Sequence, residues 1–425
     1  MSKDGLKKIA VVGGGAAGMM AAAAIKEAAP DAEVWLFEKN AYLGAKVIIS
    51  GGGRCNVTTG IFDVRKLLEN YPRGAKFLMS AMFRLPPEKV MAWFEDRGVR
   101  LKIEEDLRVF PVSNNGKEVV AALESELREK GVQIVLNANV AEVGKEGGQF
   151  LVGLKNGERH SFDGMVLTTG GNAYRHTGST GDGYAFAKAL GHTITPLAAS
   201  LHSFLVGEKW VAKVAGVSFE KVEVTLKPFD GKQVYKRGGP LVFTHHGVSG
   251  PVIFALSSMA AYEDFSKEKP LAVKINFFPD ETAEMLKKRL AEAMEHHGAK
   301  RVVNFLDMFL PKSLCEVFTE ILGIQPELVA ARLNREQLAK ILDLLQGLTL
   351  GAVGRGAGDE FVTAGGVDLN EVNTNTMESK ICPGLYFAGE ILDIDGFTGG
   401  FNLQASWATG MLAGDEAAIA TAVSA

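Results

Sequence analysis

Three glycines near the N-terminus, Gly13, Gly15 and Gly18, have the G-x-G-x-x-G spacing that lets a backbone close around a pyrophosphate. Gly13 permits the tight turn, Gly15 lets the main chain come up to a phosphate, and Gly18 lets the following helix pack on the preceding strand. Ala16 and Ala17 fall in the first turn of that helix, whose free N–H groups and positive dipole end attract an anion. About 20 residues on, Glu38 closes the apolar run Val34-Trp35-Leu36-Phe37, and a carboxylate there accepts hydrogen bonds from a ribose diol.

Polar groups beside glycines recur along the chain. Ser50-Gly51-Gly52-Gly53-Arg54-Cys55-Asn56-Val57-Thr58 can wrap an anionic ligand: Arg54 offers a guanidinium fork, and Asn56 both donates and accepts. Taken alone, the stretch reads equally as a turn. Cys55 is either a packed thiol or, beside Arg54, one of lowered pKa. The run Met165-Val166-Leu167-Thr168-Thr169-Gly170-Gly171 is a buried strand ending in small residues, where a cofactor can lie against bare backbone. Asp182, in Gly178-Ser179-Thr180-Gly181-Asp182-Gly183, either caps the next helix or meets a ligand. Gly389-Glu390 ends another short strand, and Gly399-Gly400-Phe401-Asn402 opens an Ala-rich helix. His245 and His246 end an apolar strand at Gly247. An imidazole there suits a proton donor or substrate anchor near neutral pH; the competing reading is a histidine that holds the turn.

The elements that must position these groups follow from periodicity. Residues 16–29 are apolar nearly all round, a helix buried against a sheet and stopped by Pro30. Pro86-Pro87 opens another helix, and residues 118–130 form an amphipathic one ending at Gly131. Residues 132–136 form a strand, followed by Ala138-Asn139-Val140; by analogy with dinucleotide folds, Val140 lies along an adenine ring. Residues 140–157 form a β-meander. After Pro196 the character changes to alternating, half-exposed antiparallel strands at 217–226 and 271–277. Residues 281–346 turn helical, with Asn334 and Gln337 spaced as a capping box.

The expected fold is therefore α/β: a discontinuous Rossmann-like dinucleotide-binding domain from residues 1–195 and 351–425. Its insert is a β domain (196–280) plus a helical subdomain (281–350). The net charge of -4 argues against a nucleic-acid partner or an anionic membrane. Lys287, Lys288, Arg289, Lys300 and Arg301 are interspersed with acids and read as a solvated face. Cys55, Cys315 and Cys382 are scattered without metal spacing, which suits a reducing cytoplasm. Lys3, Lys7 and Lys8, interrupted by Asp4, precede only a short strand, so no signal peptide is expected.

Five motifs in order resemble the BaiN/YhiN-type flavoproteins: residues 13–18, 50–58, 178–184, Phe243-Thr244-His245-His246-Gly247-Val248-Ser249-Gly250-Pro251, and Gly389-Glu390 with residues 399–402. The resemblance covers essentially the whole chain. It implies non-covalent FAD in a glutathione-reductase-type fold and an NAD(P)H-linked oxidoreductase acting on a small molecule. Glu38 would hold the adenosine ribose. The turn at 13–18, Arg54 and Asn56 would surround the pyrophosphate and ribityl, with Glu390 near the ribityl. Residues 399–402 would underlie the flavin pyrimidine. Lys39, Lys46, Ser50, Gly51, Gly53, Cys55, Val140, Thr169, Gly170, Gly171, Asp182, Gly389, Gly400, Phe401 and Asn402 complete the implied cofactor set, and His245 is the implied catalytic histidine. His246 departs from the family pattern, which has an aromatic or apolar residue there.

There is no second strand followed by G-x-G-x-x-G. Either NAD(P)H docks transiently at the flavin face, or the substrate is itself the reductant and oxygen the acceptor. The favoured reading is a reductase of an unsaturated or carbonyl substrate. An oxidase of small amines releasing hydrogen peroxide, an RNA-associated flavoprotein and a flavin-binding protein without turnover are the competitors.

Overall fold

The computed structural model describes residues 7–231, 233–356 and 361–423; Lys3 and Asp4 lie outside them. Two compact units are formed, one from Met1–Ser200 with Phe361–Ala425, the other from Leu201–Glu360.

The first unit is built on five parallel strands: β1 (Lys8–Val12), β2 (Glu33–Phe37), β3 (Gln133–Val135), β4 (Gly164–Leu167) and β5 (Leu385–Phe387). Their order across the sheet is β5-β4-β1-β2-β3. β1 and β4 are buried along almost their whole length, as parallel strands covered on both faces must be. The helix Ala16–Ala28 follows β1 and is buried from Ala16 to Ile25. Against it lies the last helix, Phe401–Val423. The two touch backbone to backbone: a Cβ at Gly410 would sit 2.5 Å from the Ala17 carbonyl oxygen, and one at Gly414 would overlap that of Ala21. The meander forms as three antiparallel strands, Val140–Glu146, Gln149–Leu154 and Arg159–Phe162.

Ala198–Ser200 pairs antiparallel with Val362–Ala364 inside this first unit. For that reason the chain leaves the unit after Ser200 and not at the expected 195.

The second unit is a closed six-stranded antiparallel barrel. Around it run Phe204–Val206, Gly247–Ser249, Tyr235–Phe243, Ser218–Leu226, Leu271–Asn276 and Leu348–Arg355. The helices Ala283–His297, Val302–Leu306, Lys312–Ile321 and Arg335–Gly347 are an excursion between its last two strands. Phe305, Phe318 and Leu345 from the helices share one core with Val224, Leu241 and Val273 from the barrel. The helical stretch therefore has no core of its own, and the final barrel strand runs through the boundary expected at 350. The Asn334–Gln337 capping box is formed.

His192 is a buried tie in the first unit. Its Nδ1 lies 3.1 Å from Glu371 Oε2 and its Nε2 2.7 Å from Ser379 Oγ, which also accepts the N–H of Cys382. Burial lowers the His192 pKa, against the pull of the Glu371 carboxylate. A histidine lowered on folding is protonated first in the unfolded chain. Its stabilisation is thus full above the unfolded value of about 6.5 and is lost as pH falls from there through the lower folded value. His192→Gln should accordingly show a shallower fall in thermal midpoint from pH about 7 to 5.5 than the parent; an unchanged slope would assign that limb to other groups. Gly410→Val should destabilise the protein by about 1–3 kcal/mol, the usual cost of overpacking, read as a lowered thermal midpoint. An unaltered midpoint would mean the helices tolerate separation.

Candidate cofactor site

The three glycines of the first turn do three different jobs. Gly13 has φ 110°, and a Cβ there would lie 2.5 Å from the Thr168 carbonyl oxygen. Thr168 Oγ also hydrogen-bonds the carbonyl oxygens of Val12 and Gly13, at 3.0 and 2.9 Å. At Gly18 a Cβ would overlap the Gly13 carbonyl, so only glycine allows the helix this close. Gly15 has no atom within 4 Å of where a Cβ would stand, and no side chain caps the helix it precedes. Ala16 and Ala17 thus open a helix whose N-terminus faces free space, the requirement for an anion.

Glu38 is buried one residue past β2. Its Oε2 accepts the Gly14 N–H at 2.8 Å and its Oε1 the Asn40 N–H at 2.8 Å. Burial raises its pKa, while the Asn40 and Gly14 N–H groups oppose the rise. An ionised carboxylate has lone pairs to spare beyond these two bonds, which ribose hydroxyls can use. Asn137 and Ala138, just before Val140 in the chain, donate backbone N–H groups to Asn40 O and Glu38 O, at 2.9 and 2.8 Å.

A second set gathers from distant segments. Gly44 N donates to Gly14 O at 2.9 Å, bringing the short helix Ala45–Ile49 against the glycine turn. Lys46 on that helix meets Glu390 at 2.5 Å, and Glu390 Oε1 accepts the Thr363 N–H at 2.9 Å. At Gly171 a Cβ would stand 2.7 Å from Glu390 Oε1, and at Gly389 one would stand 2.8 Å from Ala17 Cβ. Gly171, Gly389 and Glu390 are therefore brought together with the start of the first helix. Gly170, at φ 74°, turns the chain beside Ser179, and the buried Thr169 hydroxyl has no hydrogen-bond partner among the described residues.

The loop after Ile49 divides in two. Ser50 Oγ donates to Val47 O at 2.7 Å, closing the short helix. Gly51, Gly52 and Gly53 all take positive φ, and Gly52 and Gly53 face open space. Asn56, with its amide oriented by the surrounding network, accepts the Gly400 N–H at 2.8 Å and donates to Thr58 O at 3.0 Å. Gly400 in turn leaves no room for a Cβ beside the Thr58 carbonyl. Asn402 clamps the loop before the last helix: its Oδ1 accepts the Gly396 N–H and its Nδ2 donates to Gly396 O, both at 2.8 Å. The Phe401 carbonyl accepts the Tyr71 hydroxyl at 2.6 Å.

Three expected site residues have protein partners of their own. Arg54 pairs with Glu104, donates to Asn114 Oδ1 at 3.0 Å and lies 3.8 Å over the Phe110 ring. Cys55 is fully buried, with its N–H bonded to Ser50 O; burial pushes its thiol up to about 12, so the packed-thiol alternative holds. Asp182 does not cap its helix, which begins at Asp182 itself after Gly181 at φ 81°; its carboxylate goes to Lys39 at 2.8 Å.

Several contributors carried no local signal. Gln404 accepts from the Thr58 hydroxyl at 2.6 Å and donates to Leu85 O at 2.7 Å, while Trp407 Nε1 donates to Val57 O at 2.9 Å. Asp395, fully buried, is held by Arg73 and by Ser200 Oγ at 2.6 Å. Their partners lie hundreds of residues away, beyond the reach of periodicity or spacing. In the second unit, His245 is exposed just past a barrel strand. The turn is closed by Thr244 N donating to Gly247 O at 2.8 Å, and among the described residues no hydrogen bond to the His245 imidazole is formed. The turn-holding role for this ring therefore has no contact behind it.

Residues 7–416 match the family described as HI0933-like protein Rossmann domain. The chain belongs to this family. The chain is 30% identical to the 3-dehydro-bile acid delta(4,6)-reductase of Clostridium scindens, over 97% of its own length and 99% of that relative. It is also 30% identical to the ribosomal RNA dihydrouridine synthase of Escherichia coli, over 94% of this chain and 95% of the relative. Among solved structures it resembles a flavocytochrome c3 fumarate reductase, with a TM-score of 0.50 and 17% identity over 98% of this chain and 79% of that one. A 3-ketosteroid delta1-dehydrogenase from Sterolibacterium denitrificans matches with a TM-score of 0.50 and 13% identity, over 97% of this chain and 100% of that one. At these identities the structural likeness is one of fold. Among the described residues no helix is long and apolar enough to cross a membrane.

The residues present fit a flavin dinucleotide: an open helix N-terminus at Gly15, a buried carboxylate at Glu38, and an unpartnered buried hydroxyl at Thr169. Glu38→Ala should weaken FAD binding by about 1.5–3 kcal/mol, the scale of hydrogen bonds to a charged group. Titration of apoprotein with FAD by flavin fluorescence checks this, and an unchanged affinity would remove Glu38 from the site.

Proposed function

We propose that this protein is an FAD-dependent oxidoreductase that reduces a carbon–carbon double bond conjugated with a carbonyl group. The observation that carries the cofactor is the uncapped helix N-terminus at Gly15, flanked by the carboxylates of Glu38 and Glu390. The bond type is supported by the names of the relatives. A delta(4,6)-reductase of a 3-dehydro bile acid and a dihydrouridine synthase differ in substrate, yet both names denote saturation of a C=C bond polarised by a neighbouring carbonyl.

Bound FAD supplies hydride transfer at N5. The chain's own residues do the rest. Backbone N–H groups at Gly15, Ala16 and Ala17 receive the pyrophosphate, Glu38 the adenosine ribose, and Glu390, oriented by Lys46, the ribityl chain. Gly400, Phe401 and Asn402, at the start of the last helix, aim its positive end at the pyrimidine edge, where helix-end effects are worth about 0.3–1 kcal/mol. His245 donates the proton that completes reduction at the carbon next to the carbonyl, or orients that carbonyl. NAD(P)H is the proposed electron donor, docking transiently because no second glycine fingerprint is present.

A second reading, an RNA substrate, is favoured by the relatives in Escherichia coli and Haemophilus influenzae named for ribosomal RNA, and it sets aside the inference drawn from net charge. Anaerobic reduction with NADH or NADPH, then reoxidation by a conjugated steroid enone, by a uridine-containing RNA or by air, separates the readings. Enone- or RNA-dependent reoxidation is expected; hydrogen peroxide formed from an amine without either acceptor would identify an oxidase. Release of FMN on heat denaturation, or no flavin after reconstitution, would remove the proposal altogether. His245→Asn should keep FAD content and thermal stability while lowering turnover by about 10²–10⁴, and full turnover would return His245 to a structural role.

A further inference from the structure

The sheet order β4-β1-β2 places the glycine turn after β1 between the ends of two strands. One segment, residues 177–182, is tied to both of those ends. On the β4 side, Ser179 Oγ and Gly181 N both donate to Gly171 O, at 2.9 and 3.1 Å. On the β2 side, Asn40 Nδ2 donates to Thr177 O at 3.0 Å, and Lys39 Nζ donates to Thr180 Oγ at 2.5 Å and to Asp182 at 2.8 Å. Gly178, at φ 94°, lies so near that a Cβ would stand 2.8 Å from Asn40 Nδ2. The strands are parallel, so their carboxyl ends lie on one edge of the sheet, and a segment joining the outer two passes across the middle one.

We infer that residues 177–182 form a strap across the adenosine and pyrophosphate end of the cofactor cradle, held shut by the Lys39–Asp182 ion pair. Lys39 and Asp182 are then positioning residues that control escape of the dinucleotide. Neither ligates it. This inference rests on reading the first unit as an FAD cradle.

The coupling to the ligand is short. Asn40, which holds Thr177 through its side chain, gives its backbone N–H to Glu38 Oε1, so the strap and the ribose acid share one residue. The closing pair is within reach of solvent, with side chains 25% and 47% exposed. An ion pair so placed is weakened by salt, whereas the uncharged hydrogen bonds of the strap to Gly171 O, from the Ser179 hydroxyl and the Gly181 N–H, are not. Release of the cofactor should therefore quicken with ionic strength, although the chemistry it performs has no such requirement.

The test is FAD release from purified holoprotein, followed as flavin lost in timed dialysis at low and high sodium chloride, with apoprotein melting curves as a check on folding. Release from the parent should quicken with salt. Asp182→Asn should release FAD about fivefold faster at low salt, with the salt dependence gone, and Lys39→Met should read the same contact from the other side. The exchanged pair, Lys39→Asp with Asp182→Lys, should restore slow, salt-sensitive release. Release unchanged in both single variants overturns the strap alone, since FAD is still bound. An exchanged pair that releases as fast as the single variants makes one of these side chains a direct FAD contact, and overturns it too. A parent chain that takes up no FAD overturns the strap together with the cofactor reading.

Discussion

The closeness of two backbones at the carboxyl end of β1 governs the rest of the first unit. The first turn of the helix Ala16–Ala28 presses on the Gly13 carbonyl where Gly18 carries no side chain. The last helix presses on the same helix through Gly410 and Gly414. Small residues allow these approaches, and dispersion between tightly packed backbones rewards them. Because the helix is pinned on both sides, its N-terminal N–H groups stay aimed at one spot. A phosphate site built from backbone depends on that fixity more than on any side chain.

The carboxylates around that spot are arranged so that each has a stated partner. Glu38 is tied by main-chain N–H groups, Glu390 by Lys46 and the Thr363 N–H, and Asp395 by Arg73 and Ser200. Glu390 and Asp395 also tie together segments far apart in sequence, 344 residues for Glu390 to Lys46 and 195 or more for Asp395. Breaking one partner would leave a buried charge uncompensated, which is costlier than losing the bond itself. These acids thus stitch the C-terminal segment to the N-terminal one while leaving lone pairs for a ligand.

The second unit obeys another economy. Six short strands close into a barrel and so leave no edge among themselves. The helical excursion fills its own apolar faces from the same core, with Phe305 and Phe318 beside barrel residues. The exposed His245 lies two residues past the barrel strand Tyr235–Phe243.

What the sequence determined by itself were the features whose physics is local. The G-x-G-x-x-G turn, the acid ending β2, the buried Ala- and Met-rich helix, the meander and the Asn334–Gln337 box all depend on neighbours within a few residues, or on steric needs that only glycine meets. Side-chain destinations were decided by the tertiary structure. Arg54 reads as a phosphate ligand from its loop, yet Glu104 and Phe110 claim it once that loop folds back on a neighbouring sheet. Asp182 reads as a cap or a ligand contact, yet Lys39, 143 residues away in sequence, is 2.8 Å away in space. The barrel's closure was hidden for the same reason: its sixth strand, Leu348–Arg355, pairs with Leu271–Asn276 across about seventy residues of intervening chain. Periodicity records which face of an element is buried, and long-range pairing records what it is buried against.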